Sequence, residues 1–352
     1  MKRFVSIIAA AAVALILAGC ASQPATEAPL NIIFETDMGN DIDDAMALDM
    51  LYKYMDEGKI NLLAIMINKE GGAPAEFVDI MNTFYGHQVP IGVRCGDAPA
   101  ETGGVNFAEV VSDMKDDAGH PLFQRSLARY DTLPDALTLY RRILPRMPDK
   151  SVKIISVGFL GNLGALLDAE PELVSQKVIS LTTMAGCFFA PNGEFNVLGD
   201  LEASRNVFAN WPTEIVTSPF EVGIAVCYPG ESIEKDLDWG IPHPMREGYL
   251  AYCPMPHDRP CWDLTASLYA VEGDGCASAP ATAVTDKANA AGWFTVSEPG
   301  RIEIRDDDVA YFVPDAAGNR RYLAVTPDQA AAIKAHFVEL LTRKPENRSP
   351  LQ

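Results

Sequence analysis

The sequence predicts an α/β fold of Rossmann-like design, with a mostly parallel central sheet and helices on both faces. Three observations predict it. Short apolar runs of β character alternate with stretches whose apolar residues recur at helical spacing. The first such run ends in an acidic, glycine-containing turn that leads straight into a helix. Finally, 48% hydrophobic residues over 352 positions supply a large core and exclude general disorder.

Leu30–Thr36 reads as the first strand, and Ala45, Met46, Leu48, Met50, Leu51 and Tyr54 as the buried side of a helix over 43–54. A strand over 60–67, a helix over 75–85 and a strand over 89–93 follow, and this strand–helix–strand rhythm favours parallel pairing. The rhythm returns with a helix over 134–146, a strand over 152–157, a helix over 161–168 and a strand over 178–184. A helix over 200–210, a strand over 214–217 and a helix near 263–271 continue it. Short strands over 301–304, 310–313 and 322–325 are closed by a helix over 327–342. The stretches 98–132 and 228–262 read as long irregular loops, which in compact domains tend to lie over a site. With no internal repeat or long linker, residues 30–345 are expected to form a single domain.

The first residues read as an address. Lys2 and Arg3 precede an apolar run from Phe4 to Leu17, too short for a membrane span of ~20 residues. Leu17-Ala18-Gly19-Cys20 then resembles the lipobox of bacterial lipoproteins, which implies removal of residues 1–19 and lipidation of Cys20. Residues 20–29 would be a tether. Ala21 and Ser22 replace the aspartate that retains lipoproteins at the inner membrane. The expected location is therefore the bacterial cell envelope, lipid-anchored at the outer membrane and facing the periplasm or the surface. Membrane contact is expected through that anchor only.

The net charge of −20, which loses two positive charges with the leader to become −22, argues against nucleic acid as a partner. Six cysteines follow Cys20 and none forms a CxxC pair, so a zinc knuckle or thioredoxin-type motif is unsupported. Cys253 and Cys261 could staple a loop or remain small buried thiols.

The sharpest feature is Glu35-Thr-Asp37-Met-Gly39-Asn-Asp41-Ile-Asp43-Asp44, with four aspartates in eight residues where a strand gives way to a helix. Carboxyl ends of parallel strands are where ligands bind. Helix capping accounts for one or two of these acids but not for Asp37, at the strand end. Crowded carboxylates raise one another's pKa unless a cation neutralises them, and a hard, oxygen-seeking ion such as calcium or magnesium suits them. The spacing is not that of an EF-hand loop.

This turn resembles the Asp-x-Asp-Pro-Gly-x-Asp-Asp signature of the inosine-uridine nucleoside hydrolase family. Here Glu35 is the first acid, Met38 replaces proline, and two extra residues separate Gly39 from the Asp pair. Three later segments are similar to the family in the same order. Ser156-Val-Gly-Phe-Leu-Gly-Asn162 is similar to its Thr-Gly-Pro-Leu-Thr-Asn turn. Gly193-Glu194-Phe195-Asn196, with Asp200 and Glu202-Ala203, is similar to its Ala-Glu-Phe-Asn and Asp-Pro-Glu-Ala pair. Trp262-Asp263 stands where the family has a late His-Asp ahead of a helix. The similarity covers roughly 30–270.

The resemblance implies the nucleoside hydrolase fold and one calcium ion at the base of a ribose pocket. Asp37 would be ligand and general base, Asp44 a second ligand, with the Val157 carbonyl and Asp263 completing the set. Asp43 or Asp41 would bind the ribose, Asn196 its hydroxyls and Glu194 its 5′ side, with Asn68 a further pocket candidate. Two departures stand out. Phe188 occupies the place of an asparagine that reaches the 5′-hydroxyl, and Trp262 that of a histidine that protonates the leaving base. Tryptophan can stack on a ring but cannot act as a general acid. His257 could take over that task.

The implied activity is calcium-dependent hydrolysis of the N-glycosidic bond of ribonucleosides or similar N-ribosides, giving ribose and free base. A hydrolase of another ribosyl or glycosyl compound on the same scaffold stays open, as does a non-catalytic, metal-assisted sugar- or nucleoside-binding lipoprotein. Homo-oligomerisation is equally open.

Overall fold

The protein is described by a computed structural model covering residues 28–94, 104–273 and 292–345. Cys20, the leader and most of the tether lie outside those residues. Strand β1 (Leu30–Thr36) runs through the middle of a sheet that, among the described residues, has ten strands. It is followed by α1 (Asp43–Asp56), β2 (Ile60–Ile67), α2 (Gly72–Tyr85) and β3 (Ile91–Gly92). Next come α3 (Phe107–Ser112), α4 (Ala136–Ile143), β4 (Val152–Ser156), α5 (Gly161–Ala169), α6 (Pro171–Lys177) and β5 (Val178–Met184). Helices α7 (Phe195–Gly199) and α8 (Leu201–Asn210) lead to β6 (Glu214–Ser218).

These six strands are parallel and lie in the order β3-β2-β1-β4-β5-β6. The chain therefore reverses its direction of travel between β1 and β4. That reversal leaves a crevice at the carboxyl ends of the two strands, the usual ligand position of a doubly wound sheet. The crevice is where the acidic turn leaves β1.

Pleating explains how one strand serves two cores. Ile32 and Phe34 of β1 pack into an apolar cluster with α1 and α2, while Ile33 packs on the opposite face with α4, α5 and α8. α1 is buried along Asp43–Tyr54, an internal helix rather than a surface one. Its buried Lys53 and Asp49 satisfy each other: Lys53 pairs with Asp49 at 2.8 Å and donates to the Leu341 carbonyl, and the Tyr85 hydroxyl donates to Asp49.

The second half adds α9 (Phe220–Ala225), β7 (Cys227–Tyr228), α10 (Gly230–Lys235), α11 (Pro244–Tyr252), β8 (Arg259–Pro260) and α12 (Trp262–Glu272). Strands β9 (Thr295–Val296), β10 (Gly300–Ile304), β11 (Ala310–Pro314) and β12 (Arg320–Ala324) precede α13 (Pro327–Thr342). β12 joins β6 in parallel, and β9 and β10 pair with it antiparallel.

Several expectations need correction. The stretch 228–262 is not irregular: it holds α10, α11 and the small β7–β8 ribbon. Its prolines hid the helices, because Pro244 and Pro229 stand at helix starts, where proline is tolerated, and read as loop signals in sequence. Within 98–132, the described part contains α3, capped by the Asn106 side chain accepting from the Glu109 N–H. The helix expected over 200–210 begins at Leu201, with Asp200 capping it and separating it from α7. Cys253 and Cys261 are free thiols, so no staple joins them.

Candidate active site

A cavity of about 580 Å³ opens at the crevice between β1 and β4, within the range of small-molecule sites. Its floor is acidic. Asp37, Asp43, Asp44, Asp263, Glu194, Asn196 and the Val157 segment all line it, and the four aspartates are at most 8% exposed. Five elements bring these groups together: the end of β1, the first turn of α1, the end of β4, the start of α7 and the first turn of α12.

The local sequence explains the geometry. Gly39 has φ +140°, which lets the chain leave β1 and turn into α1 without strain. Thr36 ties that turn: its hydroxyl donates to Asp44 Oδ1 and accepts the Met38 N–H at 3.1 Å. Asp43 and Asp44 then sit in the first helical turn, where the helix dipole favours negative charge. Asp43 Oδ2 accepts the backbone N–H of Asp263 at 3.1 Å, which fastens the start of α12 to that of α1. Gly158 lets the β4–α5 turn approach closely, since a Cβ there would lie 2.5 Å from Asp37 Oδ1 and 2.7 Å from Asn68 Oδ1.

Burial pushes the Asp37 carboxyl up to about 7, against the pull of the Lys69 ammonium and with the help of the Asp41 and Glu194 charges. Asp43, Asp44 and Asp263 are also pushed well above the ordinary range, first by burial and then by their acidic neighbours. Burial likewise raises Glu35 to about 7, although Asn162, Tyr140 and Asn68 all donate to it.

Glu194 caps α7 rather than projecting free. Its carboxylate accepts the Asn196 N–H at 2.9 Å, the Val197 N–H at 3.1 Å and the Gly186 N–H at 3.0 Å. The Asn196 amide donates to the carbonyls of Val157 (2.8 Å) and Met184 (3.1 Å), joining the ends of β4 and β5 under the cavity.

The opposite wall is aromatic and basic. Trp262 stacks on Phe220 with ring centres 5.4 Å apart, donates its indole N–H to the Phe220 carbonyl at 3.0 Å, and packs on Gly223. Arg259 lies over both Trp262 and Tyr252, 4.9 and 5.0 Å from their ring centres, and its guanidinium donates to Asp41.

Two expected residues are not part of the cavity lining. Asn68 is fully buried beneath the floor, where its Oδ1 accepts the Phe159 N–H at 3.2 Å and its amide reaches toward Glu35 at 3.5 Å. It braces the floor. His257 is stacked on Tyr249 at 4.4 Å, and its carbonyl accepts the Tyr249 hydroxyl, so it serves the packing behind the rim. Phe188 is also turned away, against Phe312 and Tyr322. Both Asp41 and Asp43 line the cavity, but Asp41 is spoken for by Arg259 whereas Asp43 is buried at the floor.

Sequence reasoning missed Arg259, Tyr252, Phe220, Asn40 and Lys69. Lys69 donates to the Asn40 side chain and attracts Asp37 and Asp44. A charged residue directly after a buried strand end was the available signal for it. Arg259, two residues before the Cys-Trp-Asp helix start, was the signal at the rim.

Among the described residues no three His, Cys, Asp or Glu side chains stand close enough to hold a metal ion as they are. The donor chemistry nevertheless fits a hard cation. Asp37, Asp44, Asp263 and the Val157 carbonyl present oxygen to one cavity, and the carboxylates are raised by burial and then by their acidic neighbours, a cost that a divalent ion would relieve.

A Rossmann-like sheet with a carboxylate-floored crevice at its switch point defines a small-molecule site of the doubly wound α/β class. The chain belongs to the inosine-uridine preferring nucleoside hydrolase family, whose sequence pattern it matches over residues 32–298. That family is typically metal-dependent. Its fold is similar to that of a plant nucleoside hydrolase, PpNRh1, with a TM-score of 0.65 and 17% identity over 90% of this chain and 100% of that one. An inosine-uridine preferring nucleoside hydrolase from Bacillus anthracis gives 0.64 and 15%, covering 88% of this chain and 99% of its own. A purine-preferring ribonucleoside hydrolase from Gardnerella vaginalis gives 0.63 and 12%, over 89% and 99%. At such identities the likeness is one of fold. No curated protein matches by sequence.

Proposed function

We propose that the protein is a calcium-dependent hydrolase of ribonucleosides, cleaving the N-glycosidic bond to give ribose and free base. The observation that carries this reading is the set of four buried aspartates on one cavity floor, at the switch point of the sheet. A calcium ion held by Asp37, Asp44, Asp263 and the Val157 carbonyl would supply Lewis-acid activation of water and a grip on the ribose 2′ and 3′ hydroxyls. Asp37 takes the proton of the attacking water, a general-base task open to a carboxylate that lines the cavity floor at the end of β1. The surrounding carboxylates stabilise the oxocarbenium-like sugar as the bond to the base opens. Asp43 accepts from the ribose hydroxyls, and Phe220 and Trp262 form a stacking surface for the base.

A second reading is favoured by one observation. The carboxylate of Glu194 is engaged by three backbone N–H groups, and Phe188 points away from the cavity, so 5′-hydroxyl recognition is weakly provided. A riboside substituted at its 5′ end would be accepted on that account.

The test is a panel of purine and pyrimidine nucleosides and 5′-substituted ribosides, with reducing-sugar release followed with and without a calcium chelator. Release that stops on chelation and returns with calcium is expected. Absence of release from every riboside would overturn the reading, and chelator-insensitive release would overturn its metal dependence.

We also propose that the enzyme is tethered in the cell envelope through lipidated Cys20 and reaches extracytoplasmic nucleosides there. Among the described residues no helix is long and apolar enough to cross a membrane. Incorporation of labelled fatty acid into the wild type, lost in Cys20→Ser, is the expected result.

A further inference from the structure

Cleaving a nucleoside needs two kinds of help: activation of water at the sugar, and relief of the negative charge that collects on the departing base. The floor addresses the first. For the second, histidine is the usual donor, yet Trp262 stands at that place and its indole N–H is committed to the Phe220 carbonyl. His257 is packed behind the rim.

Arg259 is different. Among the described residues lining the cavity it is the one basic side chain. Its guanidinium is clamped over the rings of Tyr252 and Trp262, the latter being part of the aromatic wall where a base would stack. Asp41 fixes it from one side through an ion pair. Asp41 belongs to the two-residue extension of the acidic turn, so the extension and the arginine act as one device. The Nε–H of Arg259 is buried and makes no hydrogen bond, a donor left without a partner. Arg259 lines the cavity, and its guanidinium has N–H donors besides the one held by Asp41 to offer a ligand there.

We propose that Arg259 is the leaving-group residue of the reaction, donating a charge-assisted hydrogen bond to an acceptor atom of the departing base. This rests on the nucleoside hydrolase reading above. The bond between C1′ and the base nitrogen breaks and its electron pair stays with the base. A new bond forms from water oxygen to C1′, and Asp37 accepts the water proton. Arg259 keeps its own proton, because a guanidinium does not give one up at working pH, and the base anion is protonated by solvent. The residue therefore stabilises charge rather than acting as a general acid. It favours bases with a carbonyl oxygen or ring nitrogen exposed at the rim.

The experiment compares the full-length wild type, Arg259→Met and Arg259→Lys on two substrates, with calcium present. One is a nucleoside, whose base is a poor leaving group. The other is p-nitrophenyl β-D-ribofuranoside, whose nitrophenolate leaves without assistance. Arg259→Met is expected to lose about 100- to 1000-fold in kcat on the nucleoside and only a few-fold on the nitrophenyl riboside. Arg259→Lys, which keeps the charge but not the planar stack, is expected to fall between. An equal loss on both substrates would overturn the proposal and leave Arg259 a structural clamp, as would no loss on the nucleoside. Should Arg259→Met fail to fold, an Arg259→Lys variant with the same loss on both substrates overturns it equally. If the wild type hydrolyses neither substrate, the nucleoside hydrolase reading fails first, and the leaving-group role fails with it.

Discussion

The two sides of the cavity are built on different principles. The floor is made by regular structure: strand ends and first helical turns, woven by Thr36 to Asp44, the Asp263 N–H to Asp43, and Asn196 to the Val157 carbonyl. The rim is made by the starts of α9 and α12, the α11–β8 segment and one extended turn, and it exposes apolar surface, with Phe220 at 39%. The sheet dictates the floor, so its chemistry is fixed by topology. Ends of short helices and a two-residue strand supply the rim, where a change alters what is bound without disturbing how the sugar is attacked.

The largest effect that could break this contrast is expected at Asp37. Asp37→Asn should lower kcat on a nucleoside by about 10²- to 10⁴-fold, the usual contribution of a positioned base, while the melting temperature without calcium holds or rises as a buried charge is removed. Steady-state kinetics beside a thermal melt decides it. Loss of activity tracking loss of fold would make the floor merely structural.

Cation binding gives the next test. An ion that binds the folded floor and not the open chain stabilises by mass action, about 2.7 kcal/mol at 100 times its Kd. Calcium titration should raise the melting temperature of the wild type and leave that of Asp44→Asn and Asp263→Asn nearly unchanged. A rise of equal size in all three would place the ion elsewhere.

A smaller and more local effect is expected at Gly158. Adding one methyl there puts a carbon 2.5 Å from Asp37 Oδ1 and 2.6 Å from the Asp37 amide nitrogen, so backbone has to move. Gly158→Ala should cost about 1–3 kcal/mol in denaturant unfolding and displace the base enough to reduce kcat. Unchanged kcat in a destabilised variant would show that the floor tolerates movement, contrary to the rigidity argued above.

The contrast also explains what was legible in the sequence. The alternation of strand and helix, and four aspartates crowded at a strand end, are local signals, and they located the sheet and the floor. Asn68 was placed by its position after β2, but a strand-end side chain can turn down as well as up, and Asn68 turns down to Phe159 and Glu35. Glu194, expected on the 5′ side of the ribose, lines the cavity and also caps α7, a second task that the segment's sequence does not announce. Arg259 and Tyr252 were invisible because their meeting with Asp41 and Trp262 depends on how α11 and β8 fold back, across more than two hundred residues of chain in the case of Asp41. Prolines at helix starts masked that fold.

The smallest effect sharpens the comparison most. Trp262→Phe keeps a ring to stack on Phe220 and to lie under Arg259, but removes the indole N–H that binds the Phe220 carbonyl at 3.0 Å. A lost neutral hydrogen bond is worth about 0.5–1.5 kcal/mol, so stability should fall by no more than that. KM should rise a few-fold as the stacking wall loosens, with kcat close to wild type, because the groups that attack C1′ lie on the other side of the cavity. Both numbers come from one set of initial-rate curves over a range of nucleoside concentrations. A kcat loss approaching that of Asp37→Asn, with KM unchanged, would mean that Trp262 holds the floor through its neighbour Asp263, and the division between a chemical floor and a selecting rim would have to be given up.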